Sequence, residues 1–261
     1  MKVFFFLTVF YLFCQVTLIA QEKYILIENS IQKYGGVERL DTSQKCIFLT
    51  LTGGDFGEGT MQVRNVLKNH AISASFFFTG DFYRSPENKK AIKKLIKDGH
   101  YLGPHSDKHL LYASWEDRDS LLVSESDFKL DLLNNYETME DFGLRMEDSH
   151  FFMPPYEWYN DSISAWTREL GLQLVNYTPG TRSNADYTTP DMDNRYIDSE
   201  TIMQSIFMYE KNDANGLNGF ILLLHVGTDP QREDKFYFRL SELISRLKDL
   251  GYSFCSFKNV Y

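Results

Sequence analysis

Residues 72–109 read ISASFFFTG, then DFYRS, then PENKKAIKKLIKDGH, then YLGPHSDKH. ISASFFF is a short, wholly apolar strand pattern over 72–78. Residues 86–98 place Ala91, Ile92, Leu95 and Ile96 on one side of a helix that stops at Gly99. A second short strand, 101–103, follows and runs into His105-Ser106-Asp107-Lys108-His109. Strand, amphipathic helix and strand in this order predict a parallel pair with a helix crossing over it. Two His residues four positions apart fall on one face of a helical turn, where both can reach one divalent ion. Such a pair also arises on ordinary solvated surfaces, so its meaning depends on the remaining chain.

Outward from this unit the same rhythm repeats. Strands are expected over 46–52, 72–78, 101–103, 150–153, 172–177, 219–225 and 252–257. Helices are expected over 59–69, 86–98, 124–142, 160–170, 199–212 and 233–249, with Ser124 and Asp127 forming a cap. Near-continuous apolar strands such as GFILLLH fit a sheet buried on both faces. The segment 177–199 breaks the rhythm; it has no period and is rich in Thr, Asn, Asp and Pro. A loop of that length in a compact domain is usually functional or mobile.

The N-terminal 20 residues carry Lys2, a short apolar run and Leu18-Ile19-Ala20, the layout of an export signal cut after Ala20. Anchoring through a lipid on Cys14 is the alternative; bulky Phe13 precedes it where a small residue is wanted. Residues 21–44 read as a short helical or irregular arm, and residues 45–261 as one domain. No later segment is long and apolar enough to span a membrane. The net charge of −9 argues against nucleic acid as a partner, because phosphate backbones are bound by Lys and Arg. Cys46 and Cys255 lie in two strand-like runs; a disulfide and two buried thiols both remain open.

Polar residues gather where the strands end, the usual place for chemistry in parallel α/β folds. Asp55 and Glu58 follow the first strand, Asp81 the second and the His pair the third. Tyr156, Glu157 and Trp158 follow the fourth, the long loop with Arg182, Asn184 and Asp186 the fifth, and His225 ends the sixth. An acid and three His residues on one rim match a metal-assisted hydrolase. Asp55 as a mere cap for the helix near Gly59, and His225 as a core histidine, are the bland alternatives.

These residues resemble the motifs of polysaccharide deacetylases of the NodB-homology type, carbohydrate esterase family four. The H-[S/T]-x-x-H motif is met by His105-Ser106-Asp107-Lys108-His109. The strand ending F-x-x-G is met by Phe77-Phe78-Thr79-Gly80, and the strand ending Leu-His by Leu224-His225. The R-P-P-Y-G motif appears as Met153-Pro154-Pro155-Tyr156-Glu157. The resemblance implies an α/β fold, a distorted (β/α) barrel of about seven parallel strands in a single domain. It further implies a divalent metal ion, often zinc, and removal of acetyl groups from a glycan.

The first motif, T-F-D-D-G, departs. Read without a gap, Thr52 and Gly53 stand at its two acids; slid by two, Gly54 and Asp55 do. The slid reading is preferred because it gives Asp55, His105 and His109 as metal ligands. His225 then matches the general acid, while Glu157, Glu58 or Asp81 stands in for the missing base. Tyr156, Trp158, Arg182 and Asp186 are the candidate contacts to an acetylated carbohydrate. A catalytically inactive glycan-binding protein and a hydrolase of another C–N amide bond are the rival readings.

Overall fold

The computed structural model describes residue 27 and residues 29–260. The expected export signal and Cys14 lie outside the described residues. Among these, no helix is long and apolar enough to cross a membrane.

The chain opens with a hairpin, β1 (Ile31–Lys33) and β2 (Gly36–Arg39), where a helical or irregular arm is expected. Its turn needs left-handed backbone at Tyr34 and Gly35, which glycine adopts freely. β3 (Cys46–Gly53) is the central strand, almost wholly buried. It pairs in parallel with β4 (Ser75–Phe78), β8 (Ile221–His225) and β9 (Ser253–Cys255), and β4 pairs with β5 (Tyr101–Pro104). β6 (Phe151–Phe152) and β7 (Gln173–Leu174) form a short parallel pair. All seven expected strands form, and every pairing among them is parallel.

The ring closes through single contacts. Met153 N–H donates to the Pro104 carbonyl, joining β6 to β5. On the other side Val37 bridges Val175, and Arg39 bridges Phe220, so the hairpin fills the gap between β7 and β8. This is a distorted barrel in which β2 plugs the weak seam. Phe76, Phe78, Leu49, Leu51, Leu222 and Leu224 face one buried cluster; Phe77, Ile221, Leu223 and Phe151 face the other. Side chains of one strand thus serve two cores, which is why these strands read as continuous apolar runs.

Helices α1 (Thr60–Asn69), α2 (Gly80–Arg84), α3 (Lys89–Lys97) and α4 (Glu125–Glu140) cover one part of the barrel. The remainder is covered by α5 (Asp161–Glu169), α6 (Ser199–Asn212) and α7 (Leu240–Asp249). Helix α3 buries Ala91, Ile92 and Leu95 and is ended by Gly99 at φ +83°. Ser124 caps α4 by accepting from Asp127 N–H at 3.2 Å, as its sequence predicts. Helix α7 starts seven residues later than expected, after a 3-10 turn at Phe236–Phe238. Helix α2 is not expected; Thr79 Oγ1 caps it by accepting from Phe82 N–H at 3.1 Å.

Cys46 and Cys255 form a disulfide, with Cα atoms 6.0 Å apart, that ties β9 to the start of β3. The long segment after β7 is ordered by an interior cation. Fully buried Arg232 donates to the carbonyls of Thr188 (2.6 Å), Ile197 (3.0 Å) and Asp234 (2.7 Å). Backbone oxygens thereby gain partners that solvent would otherwise supply.

Candidate functional site

A cleft of about 500 Å³ lies at the carboxyl ends of the strands. Asp55, His105, His109, Tyr156, Glu157 and His225 all line it, together with Thr52, Asp81, Trp115 and Tyr187.

The His pair does not sit on a helical turn. Residues 105–110 are irregular, and both Ser106 (φ +74°) and His109 (φ +54°) adopt left-handed backbone. Such conformations cost about 1–3 kcal/mol each and persist only where surroundings impose them. Here helix α4 imposes them. Asn135 Oδ1 accepts from His105 N–H (2.9 Å), and the Asp131 carboxylate accepts from Asp107 N–H (3.2 Å) and Lys108 N–H (3.0 Å). Tyr112 O–H donates to the same carboxylate at 2.7 Å. The two ring centroids end 5.1 Å apart.

His105 Nδ1 lies 2.8 Å from the Met153 carbonyl, which can only accept, so Nδ1 carries the proton and Nε2 keeps a lone pair. Burial, then His109, holds the His105 pKa well below its usual value. Burial likewise drops His109 to about 4, against the opposing pull of Asp55. Both imidazoles are therefore neutral at pH 7, the state that metal ligation requires. Met153, where the family motif has Arg, supplies this carbonyl and is itself fully buried.

The third expected ligand, Asp55, lines the same cleft and its charge reaches His109. Asp55 lies two residues beyond the end of β3 and is exposed. Among the described residues, no three His, Cys, Asp or Glu side chains come together as a metal-holding group. The imidazole pair suits a divalent ion, with Asp55 on the same cleft. Asp55 does not cap α1 either, whose N-cap is Gly59 without a side-chain bond. At the end of β3, Thr52 is 1% exposed, lines the cleft and leaves Oγ1 without a hydrogen-bond partner. A Cβ added at Gly53 would meet Val226, Phe78 and Phe82 at 2.8, 2.9 and 2.9 Å, so no carboxylate fits there without repacking. At Gly54 only Thr79 Cγ2 approaches, at 3.6 Å.

On the neighbouring strand the histidine is held by a buried carboxylate. His225, in register with Thr52, donates from Nδ1 to Asp186 Oδ1 at 2.6 Å and from its backbone N–H to Oδ2 at 2.9 Å. Burial pulls the His225 pKa down, but the Asp186 carboxylate and then Glu157 outweigh it, and the net shift is upward. The Glu157 carboxyl is pushed up to about 7 by burial, with His225 opposing and Asp186 adding. Tyr156 (φ +58°) and Glu157 (φ +52°) form a second strained pair, and Tyr156 packs on His109 with centroids 4.4 Å apart.

Four expected residues stand elsewhere. Glu58 faces the neighbouring groove, where its Oε1 accepts from Thr228 N–H (3.0 Å), Lys235 Nζ (3.0 Å) and Tyr237 O–H (3.2 Å); these bonds anchor a loop. Asp186 is 2% exposed behind His225, so it orients that ring and cannot reach a sugar. Arg182 is exposed on the long loop and does not line the cleft. Trp158 stands one layer back, its Nε1–H on the Ser114 carbonyl at 3.0 Å, and supports Trp115. Sequence reasoning missed Asp131 and Asn135, although both are polar residues at i, i+4 on the buried face of α4, beside Leu132 and Tyr136.

Comparison with known proteins agrees with this architecture. The chain is 26% identical over 233 residues to a peptidoglycan-N-acetylglucosamine deacetylase of Bacillus cereus, covering 88% of this chain and 95% of that one. It is 25% identical over 232 residues to the peptidoglycan-N-acetylmuramic acid deacetylase PdaA of Bacillus subtilis, covering 88% and 76%. The solved structure of PdaA superposes with a TM-score of 0.67 at 23% identity, over 87% of this chain and 85% of that one. A family 4 carbohydrate esterase pseudoenzyme from Bacillus anthracis superposes equally well, with a TM-score of 0.67 at 16% identity, over 88% and 69%. The polysaccharide deacetylase family model matches residues 39–175, the stretch that carries β3, the His pair and the Tyr156–Glu157 turn, and the chain belongs to that family.

Proposed function

We propose that this protein removes acetyl groups from the acetamido sugars of a glycan, with Glu157 as general base and His225 as general acid. The observation that carries the reading is the cleft that Glu157 shares with a His225 oriented by buried Asp186. Water loses a proton to the Glu157 carboxylate as its oxygen bonds to the acetyl carbon. The C–N bond then breaks, and the leaving amine takes a proton from the His225 imidazolium, giving acetate and a free amino sugar. His105 and His109 are the donors available to a divalent ion, for which zinc suits an imidazole pair. When bound, such an ion would polarise the acetyl carbonyl.

Export fits the same reading: the Cys46–Cys255 disulfide suits an oxidising compartment. The named relatives act on peptidoglycan, which lies outside the cell membrane. The test is acetate release from N-acetylglucosamine oligosaccharides, with metal content measured on the same preparation. Release that is lost in Glu157→Gln supports the reading. Binding of the oligosaccharides without release under any added divalent metal overturns it.

That second outcome is the mark of a non-catalytic glycan-binding protein. One observation favours it: β3 ends in Thr52-Gly53, with no carboxylate and, at Gly53, no room for one.

A further inference from the structure

Three aromatic rings around the cleft are unusually open: Trp115 (55% exposed), Tyr156 (45%) and Tyr187 (45%). Trp115 differs from the others because a stack is built behind it. Its ring lies 5.0 Å from Trp158 at an interplanar angle of 38°. The Arg118 guanidinium sits 3.3 Å from the Trp158 centroid and 4.5 Å from that of Tyr34, on the N-terminal hairpin. Arg118 is fixed by donating to the Tyr159 carbonyl at 2.6 Å, while its own carbonyl accepts from Asn160 Nδ2 at 2.9 Å. Four layers, Tyr34, Arg118, Trp158 and Trp115, thus run from the hairpin to the cleft wall.

A ring backed by such a stack loses less freedom than an unsupported one when a ligand stacks on it. A flat indole beside polar side chains matches a pyranose, which has an apolar face and a hydroxylated edge. On the other side, the cleft continues into a groove of about 840 Å³, with which it shares Gly54, Asp55, Phe56, Asp81 and Thr228. The two linings carry Asp55, Glu58, Asp81, Glu87, Glu157 and Asp229 against Lys108 and Lys235, a balance that repels polyanions.

We infer that Trp115 is the platform of a sugar-binding subsite, and that the ligand is a neutral or partly deacetylated glycan chain of several residues passing through both cavities. The inference rests on the proposed glycan reading but names the ligand's length and charge and a residue that recognises it.

Calorimetry with N-acetylglucosamine oligomers from dimer to pentamer tests it, with a polygalacturonate oligomer as the anionic counterpart. Wild-type affinity is expected to rise at least about tenfold from dimer to tetramer, a gain that Trp115→Ala removes and Trp115→Tyr largely keeps. The uronate oligomer should bind about tenfold more weakly than the neutral tetramer. Equal affinities across chain length, or a Trp115→Ala variant that binds the tetramer as wild type does, overturn the inference. Acetate release measured in parallel separates the two ideas. Release with length-independent binding sinks the subsite alone, and Trp115-dependent binding without release sinks the catalytic reading alone.

Discussion

The two walls of the cleft are built differently. On the β8 side the His225 ring is held through a bonded partner. His225 leans on Asp186, Asp186 is buried, and the loop that carries it is clamped by Arg232. On the β3 side the strand runs out in Thr52, Gly53 and Gly54; Thr52 Oγ1 is orphaned, and Asp55 lies out in solvent. A buried polar network that is fully satisfied resists change, because breaking any one bond strands the others. The β3 end has no such network, so its acids can be lost without unfolding the barrel. In the proposed mechanism the acid, His225, is thus the rigidly held half, and the base is Glu157, on the turn after β6.

The largest expected effect tests the rigid wall. His225→Ala should lower acetate release about 10³-fold while metal content stays unchanged. A loss smaller than tenfold would mean that another group protonates the leaving amine. Asp186→Asn should cost about 10²-fold and also move the pH profile. His225 works as an acid below its raised pKa and fails above it. Removing Asp186 leaves burial to pull that pKa down, so the alkaline limb of activity shifts to lower pH. The acid limb, set near 7 by Glu157 in the wild type, should move down less, because burial rather than Asp186 is the main cause of that raised value. An unmoved alkaline limb would assign it to a different group.

Asp131→Ala addresses the floor that joins the walls. It leaves the Asp107 and Lys108 amides and the Tyr112 hydroxyl without their acceptor, and should destabilise the protein by about 3 kcal/mol in urea unfolding. A change below 1 kcal/mol would show that water takes the place of the carboxylate. The smallest effects sharpen the contrast at the β3 end. Gly54→Asp, which has room, should raise acetate release about tenfold. Gly53→Asp should instead lower stability by about 1–3 kcal/mol through overpacking, with no gain in activity. The reverse pattern would restore the ungapped reading of the first motif.

Much of the fold was legible because it is written in local periodicity. GFILLLH and SFFF announce buried strands, and KKAIKKLIK announces a one-sided helix, whatever they pack against. The N-terminal hairpin was missed because Ile31–Arg39 has no clear alternation of its own; it forms by filling the seam between β7 and β8. At the site, Tyr156, Glu157 and His225 could be placed on the rim from strand ends alone. Glu58 and Arg182 could not be separated from them, since a loop residue's direction depends on distant partners such as Lys235 and Ser205.

What the chain alone determined is the parallel barrel and the rim on which its polar residues collect, because strand and helix patterns reflect short-range burial. Tertiary structure alone decided the rest. It paired Cys46 with Cys255, turned Asp186 inward to His225, bent the His pair into left-handed backbone over Asp131 and Asn135, and left Asp55 in solvent. Each of these joins residues far apart in sequence, and no local pattern records which of several polar side chains the packing will enclose.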